Sequence, residues 1–166
     1  MHKEPQVEHS APKDARPPME TWTILFLDGA KNIERVKVTC KEAGHTVLGA
    51  RTIEEAWALL DGKHHVEVIV CAAHLEEGSM FEFLWGVRKS KVYGNAKFLI
   101  LSLTPGAMGK RLHRSTASAG LALGADAYAI MPVFDPDELF ALIKKLQSPI
   151  PMPQKSTSAE REHRAK

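Results

Sequence analysis

Five times along this chain a short apolar run is followed by a segment whose apolar residues recur at helical spacing. Unbroken apolar runs suit strands buried on both faces of a sheet, and parallel neighbours need helical crossovers to join them. The clearest unit runs from Val66 to Leu84, VEVIVCAAHLEEGSMFEFL. Val68, Ile69, Val70 and Cys71 read as an interior strand, and Glu76, Glu77 and Gly78 break the run. Ser79 and Glu82 have the spacing of a capping box, opening a helix with Phe81, Leu84 and Val87 on one side. The carboxyl end of this strand, where open α/β sheets place their chemistry, is Cys71-Ala72-Ala73. It carries no acid, base or hydroxyl nucleophile.

The other units follow the same plan. WTILFL ends at Asp28-Gly29, and a helix from about Asn32 to Ala43 carries Ile33, Val36, Cys40 and Ala43 on one side. Gly44 is placed to end that helix. Thr46 to Ala50 is a second strand; Thr52 and Glu55 form another capping-box pattern before Ile53, Ala56, Trp57, Leu59 and Leu60. FLILSL, Phe98 to Leu103, is a fourth strand. Thr104-Pro105 reads as an N-cap and first helical residue, although Gly106, Gly109 and Gly120 weaken the helix they introduce. Ala127 to Met131 is the fifth strand. Asp135-Pro136-Asp137-Glu138 starts the last helix, with Leu139, Leu142, Ile143 and Leu146 on its buried side and Lys144 and Lys145 near its end. Right-handed crossovers make a doubly wound, five-stranded parallel sheet with five helices the simplest arrangement.

A chain of 166 residues is long enough for one domain with a sizeable core. Residues 1–20 hold four of the ten prolines and residues 148–166 hold three, with few large apolar side chains. Both are read as disordered segments flanking a folded domain over 21–147. The first segment has no apolar stretch of a secretory leader, and no apolar run approaches membrane-spanning length. A net charge of +2 gives no electrostatic reason to expect nucleic acid or a membrane surface as partner. Two cysteines, Cys40 and Cys71, fit a reducing compartment, and the cytoplasm is the expected location.

From Thr23 to Leu146 the order and wording of the pieces resemble a response-regulator receiver domain. The pieces are ILFLDG, GHTVLGARTIEEAWALL, VEVIVCAAHLEEGSMFEFL, FLILSLT and GADAYAIMPVFDPDELFALI. The resemblance implies a flavodoxin-like, CheY-like sheet of order 2-1-3-4-5. It also implies Mg²⁺-dependent transfer of a phosphoryl group from a kinase histidine to an aspartate, with two acids, a hydroxyl and a lysine around it. Carried over position by position, the first acid matches Asp28 and the hydroxyl Ser102, and the switch aromatic matches Tyr128. The second acid falls on Gly29, the phospho-acceptor on Ala72 and the lysine on Met131, followed by Pro132. Metal charge, attacking group and counter-charge are thus missing together, leaving a degenerate pocket expected to be filled by Ala72 and Met131. The connection between Ser102 and Tyr128 is longer than in the family, and Val133 is an extra residue before the last helix. These departures fall on the fourth helix, fifth strand and fifth helix, the output face of receivers.

The expectation is an atypical receiver, or pseudo-receiver, that is not an enzyme and holds no cofactor. It would signal by binding a kinase, another regulator or itself, with a homodimer through the output face as one form. Arg111 and Arg114, in a basic cluster with Lys110 and His113, would lie on that face; a solvated helix face is the plainer reading of the cluster. A ligand-sensing flavodoxin-like module is the alternative, since the strand-end crevice is a natural pocket. So is a receiver phosphorylated at an unusual residue, Asp28 or His74. Cys71 reads as a buried structural thiol, and His64-His65 as an exposed pair without further ligands. Trp57 reads as core, and Trp85 as a residue at the edge of a buried face.

Overall fold

The computed structural model describes residues 20–103 and 105–148. The expected leader and tail lie outside them, as does Thr104. Five parallel strands, β1 (Thr23–Leu27), β2 (Thr46–Ala50), β3 (Val68–Ala72), β4 (Lys97–Leu103) and β5 (Ala127–Met131), form one sheet in the order β2-β1-β3-β4-β5. The connecting helices are α1 (Ala30–Glu42), α2 (Ile53–Leu60), α3 (Met80–Lys89), α4 (Ala107–Ala122) and α5 (Pro136–Gln147). Flavodoxin-like topology and strand order are as the pattern and the resemblance implied.

Strand pleating sends alternate side chains to two separate cores. Ile24, Phe26, Val68, Val70, Leu99 and Leu101 meet Ile33, Val36 and Cys40 of α1 and Leu139 and Ile143 of α5. Leu25, Leu27, Ile69, Cys71, Phe98 and Ile100 meet α2 and α3 through Ala56, Leu60, Met80, Phe83, Leu84 and Val87. Helix α4 covers the same face, so close to β4 that a Cβ on Gly120 would strike Ile100 Cδ1. The glycine that weakens α4 as a helix is what lets it lie against the sheet. Trp57 packs edge-on to Phe83 at 5.3 Å and belongs to the core, whereas Trp85 is 53% exposed with the Lys89 ammonium 3.5 Å above its ring.

The helix ends follow the sequence with three differences. Thr52 Oγ1 accepts the Glu55 N–H at 3.1 Å, but Glu55 returns to the N–H of Arg51, one residue before the cap. Ser79 is the N-cap of α3, yet its side chain makes no capping bond. Helix α4 starts at Ala107 with Gly106 as its N-cap, later than the Thr104-Pro105 start. Asp135 caps α5 as its sequence indicates, accepting from the N–H groups of Asp137 and Glu138 with Pro136 in the first turn.

His45 is buried at the amino end of β2. Its Nδ1 accepts the Trp22 N–H at 3.1 Å, and its ring stacks on Trp22 at 4.4 Å and meets Phe140. This bond requires the neutral ring. Burial holds its pKa below the usual 6.5, against an opposing pull from the Glu67 charge. The unfolded chain therefore takes up a proton near pH 6.5 that the folded chain refuses, so stability falls as pH drops through that range. The urea midpoint is expected to be flat above pH 7 and to decline between about pH 6.5 and 5. His45→Phe keeps the stack and removes the titration. It should be less stable at pH 7 and lose this slope; an unchanged slope would refute the assignment.

Candidate functional site

At the carboxyl ends of β1, β3 and β4 the sheet opens into a cleft of about 390 Å³. Asp28 stands at the end of β1, Ala72 and Ala73 at the end of β3, and Leu101, Ser102 and Leu103 at the end of β4. The first turns of α4 close one wall with Pro105, Met108 and Leu112, and His74 lies at the edge. Met108 and Leu112 are one helical turn apart and therefore share a face. Their spacing was visible in the sequence; that the face overhangs the strand ends depends on where α4 starts.

Asp28 is the one carboxylate lining this cleft. Its Oδ1 accepts the Gly29 N–H at 2.6 Å and its Oδ2 accepts the Asn32 side-chain amide at 3.1 Å. Burial raises its pKa above the usual carboxylate value, and these two bonds pull it back in part. Gly29, exposed, caps α1 and lines an adjoining recess with Asn32, Arg51 and Glu76. Ala72 is 7% exposed and presents only a methyl group. Ser102 is buried, its neighbour across the ladder being Ile130.

One expected pocket residue lies elsewhere, and the residues expected on the output face stand on β5 and α4. Met131 does not fill the cleft: it is 1% exposed and packs in the α1–α5 core, because β5 pleating turns it to that face with Ala127 and Ala129. The cleft is therefore open where Met131 was expected to plug it. Tyr128 packs against the opposite core, half-buried, and burial raises its pKa. Arg111 and Arg114 are exposed on α4 and do not line the cleft. Cys71 is fully buried; burial, and secondarily the Asp28 charge, raise its thiol pKa far above normal, and Cys40 is pushed up to about 11. Neither is a thiolate at neutral pH. His64 and His65 are exposed, and among the described residues no three His, Cys, Asp or Glu side chains gather into a metal site.

No protein-family model and no curated protein matches the chain. Solved structures do. The chemotaxis response regulator CheY4 of Vibrio cholerae is 25% identical, with a TM-score of 0.62 over 76% of this chain and 99% of that one. The receiver domain of the Francisella response regulator 1452 is 25% identical, with a TM-score of 0.60 over 75% and 95%. A two-component response regulator from Clostridium difficile is 21% identical, with a TM-score of 0.62 over 75% and 94%. The fold is that of a response-regulator receiver domain.

A receiver fold supports a part in signal transduction. The Mg²⁺ of receiver chemistry needs several oxygen ligands. Here, among the described residues, the side-chain oxygen donors lining the cleft are one carboxylate already holding two hydrogen bonds and the Ser102 hydroxyl, and Gly29 offers no side chain. This donor set does not fit the ion. Among the described residues, no helix is long and apolar enough to cross a membrane.

Proposed function

We propose that this protein is a receiver module that works without aspartyl phosphorylation and without catalysis of its own, through contacts with other proteins. The observation carrying this reading is Ala72, a buried methyl group at the carboxyl end of β3 where receiver chemistry needs a nucleophile. The position after Asp28 is Gly29 and gives no second acid there, and among the described residues no lysine or arginine lines the cleft to offset phosphoryl charge. The conformation is then set by a partner's differential affinity for one state.

The contact surface in this reading is α4, β5 and α5. Of sixteen residues, α4 buries only Thr116 and Gly120, leaving Met108, Leu112 and Leu121 exposed, with Leu123 just beyond its end, beside Lys110, Arg111 and Arg114. Val133, between β5 and α5, is 80% exposed as well. Apolar side chains ringed by arginine suit a protein interface. A kinase, another regulator or a second copy of this chain could occupy it.

The test is intact mass after acetyl phosphate with Mg²⁺, together with an amide NMR titration with beryllofluoride. The expected result is no phosphoryl adduct and unshifted amides for Asp28, Ala72, Ser102 and Tyr128. A stable adduct, or concerted shifts of these residues, would overturn the reading, and the adduct's position would name the acceptor.

A further inference from the structure

We infer that the strand-end cleft is a binding site for a small primary amine carrying an apolar body, its ammonium on Asp28 and its body against Met108 and Leu112. This stands on the shape and charge of the cleft and does not rest on how the protein signals. Its volume is within the range of small-ligand sites. Leu101, Leu103, Pro105, Met108 and Leu112 make one side apolar, and Ala72 leaves the floor without a polar group. The polar groups are the Asp28 carboxylate, the Ser102 hydroxyl and the His74 ring.

The charge decides the ligand class. Among the described residues one carboxylate faces the cleft and no lysine or arginine does, and the only ion pair is Arg88–Asp126, which uses neither Asp28 nor any other residue of the cleft. The adjoining recess, which Asp28 and His74 also border, adds Arg51 and Glu76, one charge of each sign, so its net contribution leaves the Asp28 charge standing. Each Asp28 oxygen already accepts one hydrogen bond and retains a second lone pair. The Gly29 and Asn32 bonds hold the carboxylate in place while leaving those lone pairs to a donor from the ligand. Burial disfavours the Asp28 charge, and an ammonium would relieve that cost. An anionic ligand would meet the carboxylate without a cation to compensate. A neutral apolar ligand would bury the carboxylate unpaired, which is costly. Ser102 supplies a further acceptor for an ammonium that carries three donors.

The probe is 2-phenylethylamine, titrated into the full chain and followed by amide NMR, with 3-phenylpropionate as the counterpart of similar body and opposite charge. The amine is expected to give saturable shifts confined to Asp28, Ala72, Ser102 and the first turns of α4 at concentrations up to about 10 mM. The propionate should give none. Asp28→Asn keeps an acceptor for Gly29 and removes the charge, and it should weaken the amine at least tenfold. Leu112→Lys, at an exposed position, tests the same point without touching Asp28: the added cation should weaken the amine severalfold. Absence of saturable shifts from the amine, equal shifts from the propionate, or undiminished binding in a folded Asp28→Asn or in Leu112→Lys would overturn the inference.

Discussion

Arg88→Ala is expected to lower the unfolding free energy by about 3 kcal/mol, a large share of the stability of a domain this size. Arg88 stands one residue before the end of α3, and its guanidinium gathers two loops. Nε donates to the Gly124 carbonyl at 2.7 Å, and Nη1 to the carbonyls of Gly94 and Ala96 at 3.0 and 2.6 Å. Nη2 meets Asp126 Oδ2 at 2.8 Å, and that same oxygen accepts the Phe98 N–H at the start of β4. The Asp126 N–H returns to the Phe98 carbonyl. Truncation leaves three carbonyls and a carboxylate without their donor. The Asp126 side chain remains 30% accessible, so water replaces part of the loss, and the ion pair by itself contributes little. The carbonyls carry most of the effect. Arg88→Lys should recover less than half, because one ammonium cannot reach four acceptors spread over two loops. Urea denaturation measures both. The cleft lies at the opposite end of the strands, so its amide shifts should be unchanged in the folded Arg88→Ala protein. A cost under about 1 kcal/mol would mean that water satisfies these loops without the arginine.

Ala72→Asp, which puts a carboxylate at the carboxyl end of β3, is expected to destabilise the protein by about 2 kcal/mol at neutral pH. The register pairs Leu27 with Cys71, so Asp28 and residue 72 are the next positions of neighbouring parallel strands, and both line the cleft. A second carboxylate there meets desolvation and a like charge, with no lysine or arginine lining the cleft beside them. Both effects raise its folded pKa above the unfolded value of about 3.9. The sign follows: the penalty is full above the folded pKa, shrinks as pH falls through it, and vanishes below about pH 3.9. Two carboxylates also make a donor set for a hard cation, so Mg²⁺ should restore stability to Ala72→Asp and leave the parent unchanged. The urea midpoint at pH 7 and pH 5, with and without MgCl₂, reads all three effects. Ala72→Asn is the control for bulk and should show neither the pH nor the Mg²⁺ dependence. A variant as stable as its parent, and indifferent to both, would place residue 72 away from Asp28.

What the sequence determined by itself is the architecture and which side-chain chemistry is available at the strand ends. Unbroken runs such as FLILSL, bounded by turn residues, read as strands covered on both sides, and Asp135-Pro136 followed by two acids reads as a helix start. These are local consequences of periodicity and backbone chemistry, so they survive without knowledge of neighbours. The same holds for Ala72, Gly29 and Met131, since absent functional groups are absent in any fold. Tertiary structure decided where the side chains meet. Met131 was expected to plug the cleft and instead faces the α1–α5 core, because one residue of pleat separates the two faces of β5. The capping bond of Ser79 and the start of α4 depended on how the loops leave the sheet. Arg88 carries no signal in its own sequence neighbourhood, for its partners lie up to 38 residues away. The cleft and the one carboxylate that lines it among the described residues likewise exist only once β1, β3, β4 and α4 bring distant residues to one end of the sheet.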